Sequence, residues 1–77
     1  MNIQIKIFGQ LVEVVGCADL EWEYTQDTDS LRKSLHSGFP KLEGFPYVLA
    51  IDKKIAVSNQ KIKEGDIIAL LPPFSGG

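Results

Sequence analysis

The stretch from Ile67 to Leu71 (IIALL) is an unbroken apolar run set between a Gly65-Asp66 pair and the dipeptide Pro72-Pro73. A strand with one solvated face alternates polar and apolar residues. A continuous apolar run bounded by turn signals reads instead as a strand covered on both faces, and therefore as a central strand of its sheet. Pro72 and Pro73 each hold φ at about −65° and remove a backbone donor, so they end the ladder and favour a stiff, extended exit from the body.

What leaves the body is unusual in composition. From Ile67 to Gly77 no side chain is charged, so the only ionised group beyond Asp66 is the α-carboxylate of Gly77. Four residues follow Pro73, and at roughly 3.3 Å each they carry that carboxylate about 13 Å from the edge of the fold, enough to enter a partner's active site. Gly76 and Gly77 have no Cβ and fit a narrow channel, while Phe74 is the one bulky handle. A Ser-Gly-Gly ending is also an ordinary frayed terminus, although two terminal glycines arise by chance in only about one chain in 200. If the tail docks, apolar surface near Phe74, Leu71 and Phe8 should remain exposed for a partner.

Upstream, Ile3, Ile5 and Ile7 alternate with Asn2, Gln4 and Lys6, the signature of a strand with one buried face. Leu11, Val14 and Val15 stand at helical spacing before Gly16, which suits a short helix stopped by a left-handed residue; the valines also permit a strand. Leu20 to Tyr24 alternates again, with Trp22 and Tyr24 toward the core and Glu21 and Glu23 toward water. Asp27, Thr28, Asp29 and Ser30 are N-cap candidates for a helix from Thr28 to Ser37, with Leu31 and Leu35 on its apolar face and Gly38 and Pro40 ending it. Phe39 to Pro46 reads as an ordered loop against the body. Tyr47 to Ile51 and Ile55 to Val57, separated by Asp52, Lys53 and Lys54, read as a hairpin. Lys63 to Asp66 reads as a turn with Gly65 at positive φ. Strand, short helix, strand, helix, hairpin, strand is the order of an α+β roll, a mixed sheet wrapped around one main helix.

Length and charge narrow the function. A chain of 77 residues is read as one domain, residues 1–77 with a flexible tail over 72–77, and a domain of this size buries only about 60% of its unfolded surface. Eight basic and ten acidic residues leave a formal charge of −2, which gives no basis for a nucleic-acid or anionic-membrane partner. The single Cys17 cannot form an internal disulfide, and no metal-ligand cluster surrounds the single His36, so no metal is expected and a reducing cytoplasm fits. Neither a leader pattern nor an apolar stretch of membrane-spanning length is expected from the alternating MNIQIKIFG opening. Cys17 is read as a half-buried hydrophobe and His36 as a solvated or dipole-facing residue near a helix end.

The block GDIIALLPPFSGG (Gly65 to Gly77), with Phe8-Gly9 after the first strand, Glu13 and Gly16 beyond it, and Leu49-Ala50-Ile51-Asp52 before the hairpin, resembles the small subunit of molybdopterin synthase within the ubiquitin-like β-grasp sulfur carriers. A bare Gly-Gly also suits thiamine-type carriers or covalent protein modifiers; the Pro-Pro favours the molybdopterin branch. The resemblance implies a chain that is not an enzyme on its own and binds no cofactor. A ubiquitin-activating-type partner would use ATP to adenylate Gly77, a sulfur donor would displace AMP, and the large synthase subunit would accept the resulting thiocarboxylate. It implies Gly77 as the reacting residue and Leu71, Phe74, Ser75 and Gly76 as partner-binding residues. The chemistry is sound on its own terms, because a carboxylate becomes electrophilic only when its oxygen is made a good leaving group.

Overall fold

The computed structural model describes residues 1–73. Its elements are β1 (Asn2–Ile7), α1 (Leu11–Val15), β2 (Asp19–Glu23), α2 (Thr28–Gly38), a 3-10 helix (Pro40–Gly44), β3 (Val48–Ile51), β4 (Lys54–Ile55) and β5 (Ile67–Leu71). Among the described residues the strands form one mixed sheet in the order β2-β1-β5-β3-β4. β1 and β5 run parallel, with Ile5 opposite Ile68 and Ile7 opposite Leu70. The β1–β2, β3–β5 and β3–β4 pairs are antiparallel. This is the ubiquitin-like β-grasp arrangement, and β5 is central as its apolar run predicts.

The inward positions of the strands meet the helices. Ile3, Ile5 and Ile7 of β1, Leu49 of β3 and Ile68 and Leu70 of β5 are buried with Leu11, Leu31, Leu35, Leu42 and Ile62 in one core. Leu31 and Leu35, a narrow stripe in sequence, are both fully buried, and each such side chain contributes roughly 1.5–3 kcal/mol. α1 is a helix, and Gly16 closes it in the left-handed region at φ 99°. The Asp27 side chain accepts from the Ser30 N–H at 2.9 Å. That bond holds the Asp27 carboxyl below its ordinary pKa.

Four expectations need correction. β5 is covered on one face only, because the helices form a single layer: Ile68 and Leu70 are fully buried, whereas Ile67 is 48% exposed and Ala69 and Leu71 are half-buried. The hairpin turn is two residues, Asp52 and Lys53, both at positive φ as a type I′ turn requires; Lys54 belongs to β4, and Val57 lies outside it, 90% exposed. The segment after α2 contains a 3-10 helix whose Leu42 is fully buried. Trp22 and Tyr24 are half-buried at the core's margin, where their polar tips find partners: Trp22 Nε1–H donates to Ser34 Oγ at 2.9 Å and the Tyr24 hydroxyl to the Ile62 carbonyl at 2.6 Å.

The start of α2 also anchors the segment before β5. The Thr28 hydroxyl accepts from the Gln60 N–H at 3.0 Å and donates to Asn59 Oδ1 at 3.2 Å, and Asn59 Oδ1 also accepts from the Asp29 N–H at 2.9 Å. Thr28 is 1% exposed. Thr28→Val keeps the shape but leaves the Gln60 N–H without its acceptor, which costs about 1–3 kcal/mol. In a domain of this size a melting temperature lower by roughly 4–8 °C per kcal/mol is the expected result, read by circular dichroism; an unchanged melt would show that water replaces the hydroxyl.

Candidate functional site

The outward face of the sheet divides in two. Across β2 and β1 it carries Asp19, Glu21, Glu23, Asn2, Gln4 and Lys6, and four of these pair: Asn2 Nδ2 donates to Glu21 Oε1 at 3.1 Å and Lys6 Nζ to Asp19 Oδ1 at 3.1 Å. Across β5, β3 and β4 the register puts Ile67, Ala69 and Leu71 beside Val48, Ala50 and Ile55. This half is apolar, and with Phe8 it lines a shallow depression of about 570 Å³ rimmed by Lys6, Asp52 and Lys53. Phe8 is 45% and Ile55 57% exposed. Contiguous exposed apolar surface with a charged rim is the usual mark of a docking site.

The C-terminal arm leaves from the edge of this depression. The Phe8 N–H donates to the Leu70 carbonyl at 3.1 Å, extending the β1–β5 pairing by one step. Leu71 then ends β5 on the outward face, and Pro72 follows, half-buried. Of the residues singled out in the sequence, Leu71 and Phe8 therefore sit together at the base of the arm. Phe74, Ser75, Gly76 and Gly77 lie outside the described residues. Ile55, Ile67 and Ala69 join Leu71 and Phe8 on this face, which the reading of β5 as a strand covered on both sides does not predict. Their signal was present in period two: Ile67, Ala69 and Leu71 share one side of β5, and one layer of helices can cover only the other.

The remaining conspicuous groups lie elsewhere. Cys17 is a half-buried free thiol, as expected. His36 is not simply solvated: its Nε2 lies 2.7 Å from the Tyr47 hydroxyl and its Nδ1 is 3.7 Å from Glu43 Oε1. The Arg32 guanidinium stands 5.5 Å over the Tyr47 ring, and burial pushes the Tyr47 hydroxyl above its ordinary pKa while Arg32 pulls it down. These groups tie α2 to the chain entering β3. Glu21 and Glu23 face water. Among the described residues no cluster of His, Cys, Asp or Glu is placed to hold a metal ion, and no helix is long and apolar enough to cross a membrane.

Comparison with known proteins agrees with this architecture. No curated protein matches the sequence. Among solved structures, the putative molybdopterin converting factor subunit 1 of Pyrococcus furiosus superposes with a TM-score of 0.84 at 16% identity, over 95% of this chain and 98% of that one, a likeness of fold. The small archaeal modifier protein 1 of Haloferax volcanii has a TM-score of 0.75 at 25% identity, over 94% and 97% of the two chains. The molybdopterin-converting factor of Helicobacter pylori 26695, solved as a complex of subunits 1 and 2, has a TM-score of 0.71 at 26% identity over 100% of both chains. The sequence profile of the ThiS family matches residues 5–77, nearly the whole length, and the chain belongs to that family.

Proposed function

We propose that this protein is the sulfur-carrier subunit of a molybdopterin synthase, acting in molybdenum cofactor biosynthesis through a thiocarboxylate on Gly77. The carrying observation is the apolar half of the sheet's outward face, which adjoins the root of an arm whose sequence is uncharged, opens with Pro-Pro and closes with Gly-Gly. An adenylating partner of the ubiquitin-activating type docks there. The Gly77 carboxylate attacks the α-phosphorus of ATP, pyrophosphate leaves, and a sulfur donor then attacks the acyl carbon and expels AMP. The large synthase subunit takes the arm next, and sulfur passes to a cyclic pyranopterin precursor. The solved complex of subunits 1 and 2 from Helicobacter pylori supports a large-subunit partner. Acid, base and oxyanion-stabilising groups come from the partners, and the carrier has no catalytic power alone. A reducing cytoplasm suits the free Cys17.

The test is the intact mass of the full chain after incubation with an activating enzyme, ATP and a sulfur donor. Exchange of one oxygen for sulfur at the C-terminus is expected, followed by its loss when the large subunit and the pterin precursor are added. No exchange would overturn the reading. A second reading, a covalent protein modifier, is favoured by the likeness to small archaeal modifier protein 1. It predicts isopeptide adducts on lysine amines in the same mass measurement. A thiamine-type carrier would form the thiocarboxylate but would not pass sulfur to the pterin.

Phe74 is the one bulky side chain beyond Pro73. Its anchoring in the partner's groove contributes roughly 1.5–3 kcal/mol, so Phe74→Ala weakens binding to the large subunit by about 10- to 100-fold while the isolated domain melts as before. Equal affinities by calorimetry would assign recognition to the body of the protein.

A further inference from the structure

Gly9, Gly16 and Gly65 all have positive φ, at +61°, +99° and +91°. Their surroundings differ. A Cβ built on Gly16 or Gly65 would meet nothing within 4 Å, whereas one on Gly9 would lie 2.6 Å from Pro72 Cγ and 3.4 Å from Pro72 Cδ. Backbone conformation alone does not demand glycine at position 9, because Asn and Asp also enter the left-handed region. Any L side chain at this position instead forces its surroundings to shift, because its Cβ meets Pro72.

The identity of the neighbour gives this contact its consequence. A long side chain meeting a new methyl group rotates away. The ring of Pro72 closes on its own backbone nitrogen, so whatever part of a push on Cγ a change of ring pucker does not absorb is passed to the main chain. The turn beneath cannot yield instead: the Phe8 N–H is bonded to the Leu70 carbonyl at 3.1 Å, the Val12 N–H to the Gly9 carbonyl at 3.2 Å, and Leu11 is fixed in the core, 1% exposed. Opening 2.6 Å to an ordinary contact therefore moves the backbone at Pro72, the first residue beyond β5 and the root of the arm.

We infer that Gly9 is a positioning residue for the C-terminal arm: the absence of its side chain forms the seat on which Pro72 rests, and that seat sets the direction in which the chain leaves β5. The inference rests on the sulfur-carrier reading and adds to it the element that directs the arm. Gly9 contributes no side chain to the apolar depression, so docking and aiming are separable. Gly9→Ala leaves the docking surface in place and misaims the arm, and a displacement of about 1 Å costs on the order of a hundredfold in rate.

The experiment is ATP–pyrophosphate exchange by the activating enzyme on the full chain, with KM and kcat measured for wild type, Gly9→Ala, Pro72→Ala, the double variant and Gly16→Ala. A melting curve accompanies each protein. Expected is a kcat lower by roughly a hundredfold in Gly9→Ala with KM within about threefold of wild type. Adding Gly9→Ala to the Pro72→Ala background should cost no more than about threefold, because the clashing atom is gone. Gly16→Ala, which strains φ without touching Pro72, should keep wild-type kcat. An equal fall in both backgrounds, an equal fall in Gly16→Ala, or a wild-type kcat in Gly9→Ala overturns the inference alone. Should Gly9→Ala melt below the assay temperature, Pro72→Ala decides: a loss of about tenfold in kcat at unchanged KM supports the seat, and an unchanged kcat overturns it. A wild-type chain that no activating enzyme adenylates overturns the sulfur-carrier reading and the inference with it.

Discussion

Deleting Gly77, or adding a single alanine after it, is expected to leave the melting curve of the domain unchanged and to abolish both adenylation and sulfur transfer. Among the described residues the core is built from side chains between Ile3 and Leu70, and it is these that the melting curve reports. The carboxylate of Gly77 is a different matter. Beyond Asp66 it is the only ionised group of the chain, and an acyl-adenylate forms only when its oxygen lies in line with the α-phosphorus of ATP. Moving the carboxylate by one residue, roughly 3.3 Å, far exceeds the misplacement of about 1 Å that already costs on the order of a hundredfold. A C-terminal tag has the same consequence. The measurement is sulfur transfer to the pterin precursor in a reconstituted system, with thermal melting of each variant alongside. Full activity in either variant would leave Gly-Gly as an inert terminus on a β-grasp interaction domain.

The second large effect is expected on the sheet face. Phe8→Asp puts a carboxylate into the apolar depression formed with Ile55, Ile67, Ala69 and Leu71. In the free protein the cost is small, because Phe8 lies beyond the end of β1 and is 45% exposed, and its N–H keeps the Leu70 carbonyl. A melting shift of no more than a few degrees follows. In the complex the same carboxylate is stripped of water among apolar side chains, a penalty that Lys6 and Lys53 at the rim offset only in part, added to the loss of about 1.5–3 kcal/mol of aromatic burial. Affinity for the activating enzyme and for the large subunit should fall by at least about a hundredfold. Calorimetric titration decides it, and undiminished binding would place the docking surface elsewhere on the molecule.

The two predictions differ in how far their residues could be read without a structure. The end of β5 at Pro72 is legible in sequence, because the Pro-Pro pair is a local property of consecutive residues. So are the alternation of β1 and β2, the capping cluster before α2 and the positive φ of Gly16 and Gly65. Each depends on interactions within one turn or one strand. Phe8 and Leu71 were anticipated as exposed apolar residues, but the surface they belong to was not, since Ile55 arrives from β4 and Ile67 and Ala69 appeared to belong to a strand buried on both sides.

Periodicity determined which residues of β5 share a side, and the Gly65-Asp66 and Pro72-Pro73 pairs marked where that strand begins and ends. Tertiary structure decided the rest: that β1 and β5 pair in parallel, that Thr28 fastens Asn59 and Gln60, that His36 meets Tyr47, and that Gly9 lies under Pro72. Above all it decided which face of the sheet stays open. A run of apolar residues records that both sides of a strand shun water, but not what will cover each side. In this chain the helices form one layer, Leu31 and Leu35 are spent on the inward face, and on the other side Ile67 is left exposed and Ala69 and Leu71 half-buried.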